Sequence, residues 1–423
     1  MPLTATERAA RIVARCREIS ACTEVARETT RTFLAPSMHQ VHSLLRGWME
    51  AAEMSVWIDA IGNLRALYPA ASGDEEAPRL ILGSHLDTVP NAGAFDGVLG
   101  VVLGVSLIEE LKGQRLPFAI EIVGFSEEEG VRFARPYLGS LAFTGPLDAA
   151  TLERRDPQGI SVEAAIRGFG LDPSELPGAI ISENAFAYLE VHIEQGPVLE
   201  SEDRHLGVVT AIVGQTRMQL RFDGQANHAG TTPMHLRHDA MAAAAEWICE
   251  VERYANATPG LAATVGKVQT RPGASNVIAG EVLATLDVRH ADDATRRAAA
   301  THLLAAATRS VEARGVVVSV VASSHEDAVP TDPTLSKLLL EATTTAGSPA
   351  RLMPSGAGHD ARIVAERLPI AMLFLRSPGG LSHHPDESVR DEDVEAALAT
   401  ALAFVTSLRP EAIIDKTARE SHA

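Results

Sequence analysis

The chain has 423 residues, 46% of them apolar, and a formal net charge of −18. That length supplies core for two domains or one very large one, and so acidic a balance argues against nucleic acid as a partner. No apolar run approaches membrane-spanning length, the start (Met1-Pro2-Leu3, then Glu7, Arg8 and Arg11) lacks a signal-peptide core, and Cys16, Cys22 and Cys249 form no disulfide or ligand pattern, so a soluble protein of the reducing cytoplasm, without membrane contact, is expected.

Residues 4–30 read as a charged helix with Ile12, Val13 and Ile19 on its apolar side, broken at Thr32-Phe33-Leu34-Ala35-Pro36. An amphipathic helix follows over about 37–52, then paired strands at 56–59 and 63–65 around Ile61-Gly62. Leu80-Ile81-Leu82 reads as a buried strand delivering His85 and Asp87 to its C-terminal end, with Asp96 just before a small-residue helix over 98–111. Strand 119–125 ends in Ser126-Glu127-Glu128-Glu129-Gly130, strand 187–197 carries His192, and strand 369–375 runs into Ser377-Pro378-Gly379-Gly380-Leu381-Ser382-His383-His384. This alternation predicts an α/β layer with ligands at the C-terminal ends of its strands.

Each feature has a bland reading when taken alone. A His-x-Asp at a strand end is more often structural, three acids in a row are more often a solvated turn, and a lone His192 is more often a satisfied core residue. Four strand ends nevertheless offer His85, Asp96, Glu129, His192 and His383. Five groups are one short of two three-ligand sites, and a bridging Asp96 would complete a pair of ions, with an imidazole's second nitrogen held by a neighbouring carboxylate such as Asp87. In the acidic run neighbouring side chains diverge, so one carboxylate could hold metal while the next acts as a general base.

From about 212 the pattern changes. An alternating strand at 217–222, an Ala-rich helix at 239–254, strands at 263–268 and 282–288, a helix at 293–313 and a strand at 316–321 suit an α+β sandwich with one exposed sheet face. Asp332-Pro333 then starts a helix ending near Gly347.

The longer motifs are GSHLDTVPNAGAFDGVLGV (83–101), EEEGVRF (127–133), LGS (138–140), EVHIEQGPVLE (190–200), NHAGTTPM (227–234), SNVIAG (275–280), DVRH (287–290), SGAGHDA (355–361) and GGLSHHPDE (379–387). In this order they resemble the peptidase-M20-type amidohydrolases, in the branch of allantoate amidohydrolases, N-carbamoyl-L-amino-acid hydrolases and β-ureidopropionases. The resemblance spans nearly the whole chain. It implies an α/β catalytic domain of the zinc-peptidase (phosphorylase/hydrolase-like) type over 1–211 and 328–423, with an inserted α+β dimerisation and lid domain over 212–327. It also implies two divalent ions per subunit, Zn or Mn with Co or Ni as alternatives: His85, Asp96 and His192 hold one, and Asp96, Glu129 and His383 the other. Glu128 becomes the general base, Glu127 the variable first acid, and Asp87 the group that orients His85; His384 points away.

On the inserted domain, His228 is expected to stabilise the oxyanion across a homodimer, and Arg289 to pair with the carboxylate of a small anionic ureido substrate. Gln195, Gln215, Asn276, Gly358 and His359 are expected to complete the hydrogen-bonding frame, with structural roles open for Gln215 and His359. The segments 31–37, 45–50, 57–63 and 130–133 look more like allantoate amidohydrolases than carbamoylases, which puts allantoate first and an N-carbamoyl-L-amino acid second. A binding protein without catalysis is disfavoured by the retained Glu128, and a serine hydrolase by the absence of a G-x-S-x-G elbow.

Overall fold

The computed structural model describes residues 3–414; Met1 and Pro2, which enter the reading of the N-terminus, lie outside them, as do residues 415–423. The chain divides into two compact units, one formed by Met1–Thr210 with Thr331–Ala423 and the other by Ala211–Pro330. In chain order the strands are β1 (Ser55–Ile58), β2 (Leu64–Tyr68), β3 (Arg79–His85), β4 (Ala119–Phe125), β5 (Ala185–Ile193), β6 (Leu206–Ile212), β7 (Gly214–Asp223), β8 (Ala262–Thr264), β9 (Val268–Arg271), β10 (Glu281–His290), β11 (Val317–Glu326), β12 (Val329–Pro330), β13 (Arg351–Ser355) and β14 (Ile370–Leu375).

In the first unit the sheet runs β1-β2-β4-β3-β5-β14-β6, with β13 paired to β6. Its centre is parallel: β4, β3, β5 and β14 lie side by side, His85 level with Phe125 and His192 level with Phe374. Strands buried on both faces read as apolar runs without alternation, as Leu80-Ile81-Leu82 does; in β4 the buried Glu121 interrupts the run and is paired with Arg65 and Arg79. The helix Val98–Glu110 is buried almost throughout and packs on β3, β4 and β5. The parallel order places the C-terminal ends of β3, β4, β5 and β14 along one edge.

Two expected elements differ. The first helix is Ala5–Ser20, not 4–30, because after Ala21 the Thr23 hydroxyl takes over local bonding, accepting the Thr30 N–H at 3.0 Å and closing a loop. The single strand expected at 263–268 is two short ones, β8 and β9, separated by Val265-Gly266-Lys267 and both paired to β10. Short helices at Ala149–Glu153 and Val162–Gly168 were not expected from the sequence.

The second unit is an antiparallel sheet, β11-β7-β10-β8 with β9 on β10. The helices Ala240–Ala257 and Asp293–Glu312 cover one face, where Leu220, Phe222, Val282, Ala284, Leu286 and Val288 pack against Trp247 and Leu303. With a period of two, Gln215, Arg217, Asp287 and Arg289 fall on the other face.

Candidate metal centre

The chain ends of the four parallel strands bring the predicted residues of the first unit together. His85 closes β3; its Nδ1 sits 3.1 Å from the Asp87 carbonyl oxygen and 3.5 Å from Asp87 Oδ1, which turns Nε2 toward Asp96 Oδ1 at 3.4 Å. His192, one residue from the end of β5, is held the same way, with Nδ1 2.9 Å from the Ile193 carbonyl oxygen and Nε2 3.2 Å from Asp96 Oδ1. His383 Nε2 lies 3.3 Å from Asp96 Oδ2 and 3.4 Å from Glu129 Oε1. Ligand atoms of His85, Asp96 and His192 therefore converge within 4.8 Å of one another, as do those of Asp96, Glu129 and His383. Asp96 belongs to both groups.

The donor set suits cations. Asp96 Oδ1 is buried and has no hydrogen-bond partner among the described residues. An unsatisfied buried acceptor costs about 1–3 kcal/mol, and more when charged, and an oxygen faced by two imidazole nitrogens at 3.2 and 3.4 Å is suited to sharing a cation with them. Burial alone would raise the Asp96 carboxyl, but the His192, His383 and His85 imidazoles outweigh it and hold the group well below its usual range. Burial, together with the neighbouring Asp96, pushes Glu129 up to about 7. Carboxylates crowded until they resist ionisation are what a dication relieves, and paired imidazole nitrogens facing the same point are its usual company.

The acidic run has an internal division. Glu129 groups with Asp96 and His383, whereas Glu128 groups with His85 and Glu129. Asp87 fixes this register: its Oδ1 accepts the Glu128 N–H at 2.9 Å and its Oδ2 the Glu129 N–H at 3.1 Å. That strap was not read from the sequence, where Asp87 serves only His85. Burial, with Glu129, Asp360 and Asp87 around it, pushes the Glu128 carboxyl well above the ordinary range. Glu127, the first acid of the run, is fully buried.

Gln195, Gly358 and His359, expected to complete the polar frame, lie in the same unit, as does His384. The Gln195 amide faces the metal ligands, donating to Asp96 Oδ2 at 2.9 Å and to Ser382 Oγ at 3.2 Å, while its Oε1 has no partner among the described residues. His359 is buried edge-on against the His192 ring, with Nε2 2.9 Å from Ser355 Oγ. Gly358 lies beneath the Tyr137 hydroxyl, which would be 2.0 Å from an added Cβ. His384 is half exposed, and its Nδ1 accepts the Asp386 N–H at 3.1 Å, away from Asp96.

In the second unit, His228 is exposed, and its Nδ1 accepts the Gly230 and Thr231 N–H groups at 3.0 and 3.2 Å. A neutral ring held this way carries its proton on Nε2, as a donor. Asn276 is tied to the same turn through its carbonyl, which accepts the Ala229 N–H. The Arg289 guanidinium donates in fork fashion to Asp287 at 3.0 and 2.9 Å, and Arg217 Nε reaches the same carboxylate at 3.2 Å. Gln215, across from Arg289 in the register, donates to Glu326 Oε2 at 2.9 Å. A concavity of about 690 Å³ opens on this face, lined among others by Arg217, Gln219, Thr285, Asp287 and Arg289.

Compared with known proteins, residues 81–407 match the profile of peptidase family M20/M25/M40. The chain belongs to this family. Among curated family relatives, an allantoate deiminase of Arabidopsis thaliana is 37% identical over 93% of this chain and 81% of its own length. An N-carbamoyl-L-amino-acid amidohydrolase of Paenarthrobacter aurescens is 35% identical over 95% of this chain and 98% of its own. A crystal structure of a hydantoinase/carbamoylase family amidase from Burkholderia ambifaria superposes with a TM-score of 0.87 at 36% identity, covering 94% of this chain and 97% of that one. Family M20 proteins depend on metal, which agrees with the chemistry of the two donor groups around Asp96. No helix among the described residues is long and apolar enough to cross a membrane.

Proposed function

We propose that the protein hydrolyses a carbon–nitrogen bond of a linear ureido compound, with allantoate as the first substrate and an N-carbamoyl-L-amino acid as the second. The observation that carries this reading is the pair of donor groups sharing Asp96, with Glu128 held beside them by Asp87. The plant allantoate deiminases at 36–37% identity support allantoate, and the bacterial carbamoyl-amino-acid hydrolases support the alternative.

Two divalent ions fit: His85, Asp96 and His192 would hold one, and Asp96, Glu129 and His383 the other. Imidazole and carboxylate without thiolate suit Zn or Mn, and also accommodate Co or Ni. When bound, such ions acidify a water and polarise a carbonyl. The remaining work falls to side chains. Glu128 accepts the proton of the attacking water on its carboxylate and returns it to the departing nitrogen, a shuttle favoured by a carboxyl whose proton affinity burial has raised. His228 donates its Nε2 proton to the oxygen on which negative charge develops. Arg289 offers its planar fork to the substrate carboxylate, and Gln195, Gln215, Asn276 and the Gly358-His359 segment complete the polar frame. The unit Ala211–Pro330 acts as dimerisation and lid domain, so that in a homodimer His228 serves the partner subunit's site.

For Arg289 a second reading has its own observation. The fork already meets Asp287, which shares its sheet face, so a local ion pair is the competing role.

The test is ammonia release by the metal-loaded protein from allantoate, N-carbamoyl-L-amino acids and N-carbamoyl-β-alanine. The highest kcat/KM is expected with allantoate. A higher value with a carbamoyl amino acid would move the assignment to the second substrate, and no release from any of them would overturn it.

A further inference from the structure

The loop carrying Asp96 and the loop carrying His383 are joined by a carboxylate that has no place in the chemistry above. Glu387 is buried, and its Oε1 accepts two successive backbone N–H groups, Phe95 at 2.9 Å and Asp96 at 3.1 Å, across 292 and 291 residues. Its own N–H bonds the His384 carbonyl, closing the turn that follows His383. Ser382, one residue before His383, donates to Asp96 Oδ2 at 3.0 Å and lies 3.5 Å from Glu387 Oε2. The seat is shaped for this group. An added Cβ on Gly93 would lie 2.3 Å from Glu387 Cβ and 2.6 Å from its Oε1, so only glycine admits the carboxylate here.

The backbone explains why such a fastening is needed. His383 has φ 56°, in the left-handed region that a non-glycine residue occupies only when its surroundings over-determine it. The helix-side loop has the same requirement, because Asp96 must present both carboxylate oxygens, one toward His85 and His192 and the other toward His383.

We propose that Glu387 is a positioning residue that locks the Asp96 loop to the His383 loop, so that these two side chains meet at one ion. The proposal rests on the two-ion reading above. It places no proton transfer and no metal bond on Glu387 itself. Its function is to fix two ligands at the second site, Asp96 Oδ2 and His383, while His85 and His192 are held independently by the Asp87 and Ile193 carbonyls.

The experiment compares full-length wild type with Glu387→Ala, Glu387→Gln and Gly93→Ala, each dialysed against a graded metal chelator and analysed for bound Zn or Mn per chain. Glu387→Ala is expected to give up one ion at chelator strengths where wild type keeps two, with that site weakened about 10–100-fold as for other outer partners of metal ligands, and to retain the remaining ion. Gly93→Ala, which crowds the carboxylate out without removing its charge, should reproduce the loss. Glu387→Gln keeps an oxygen acceptor for the two N–H groups and should recover part of the affinity. Variants that bind both ions as tightly as wild type while only melting earlier would overturn the proposal, leaving Glu387 a structural fastening. If Glu387→Ala does not fold, the Gln and Gly93→Ala variants decide by the same readout. A wild-type chain that binds a single ion would defeat the two-ion reading separately; Glu387 is then judged on that ion, and unchanged affinity in the variants overturns its role.

Discussion

Glu128 and Glu129 are adjacent in the chain and carry the same functional group, yet the proposed function gives them different tasks. If Glu128 is the proton carrier, Glu128→Gln keeps both ions and lowers kcat by about 10²–10⁴, the usual contribution of a positioned acid–base group. Glu129→Gln should instead lose an ion, since it removes a carboxylate from the Asp96–His383 group. Metal analysis showing the two outcomes reversed would shift the register of the run by one residue. Arg289 is tested on the same scale. Loss of a charge-assisted fork to a substrate carboxylate costs roughly 2–5 kcal/mol, so Arg289→Lys should lower kcat/KM by about 30-fold or more. The pair with Asp287 is only partly buried and is worth about 1 kcal/mol or less, so the melting temperature should barely move. A destabilised mutant equally impaired on a substrate analogue lacking the carboxylate would make Arg289 structural. Which residues were legible in the sequence follows from geometry. His85 and His192 sit at strand ends, and Glu129 and His383 lie on the loops that follow two more, so the parallel order brings all four to the edge where Asp96 stands. The Asp87 strap, the Gln195 amide on Asp96 and the Glu387 seat were not legible. They are side-chain bonds to backbone or to distant loops, and no periodicity records them.

At the scale of elements, the central strands and the helix behind them announce themselves through largely apolar runs, while the first helix is overestimated because Thr23 competes for its backbone. The helix Pro36–Ala51 carries a less obvious property. His42 lies on its buried face, edge-on to Phe169, and neither ring nitrogen has a hydrogen-bond partner among the described residues. Burial, with His39 and Arg46 adding to it, lowers its pKa to about 3. In the unfolded chain it titrates near 6.5, so between these values the unfolded state binds the extra proton and stability falls as pH falls. By pH 5.5 this one group should cost about 1.4 kcal/mol relative to neutral pH. Denaturation midpoints of His42→Phe and wild type, compared at pH 7.5 and 5.5, should show a smaller acid loss in the mutant. Parallel losses in both proteins would mean that His42 is protonated, and paired, in the folded state.

At the scale of the whole molecule, the two compact units divide the labour proposed here: the parallel sheet supplies the metal ligands and Glu128, and the inserted unit supplies His228 and Arg289. If the homodimer lets His228 act on the partner subunit's site, inactive Glu128→Gln and inactive His228→Ala chains mixed as verified heterodimers should recover activity at one site in two. No recovery would confine His228 to its own subunit or to none. The central claim, a two-ion ureido hydrolase, is tested most directly by stripping the protein of metal and titrating Mn or Zn back while following ammonia release from allantoate. The account predicts no turnover by the stripped protein and a rise that reaches its plateau at two ions per chain. Full activity in the stripped protein, or a plateau reached at a single ion, would contradict it.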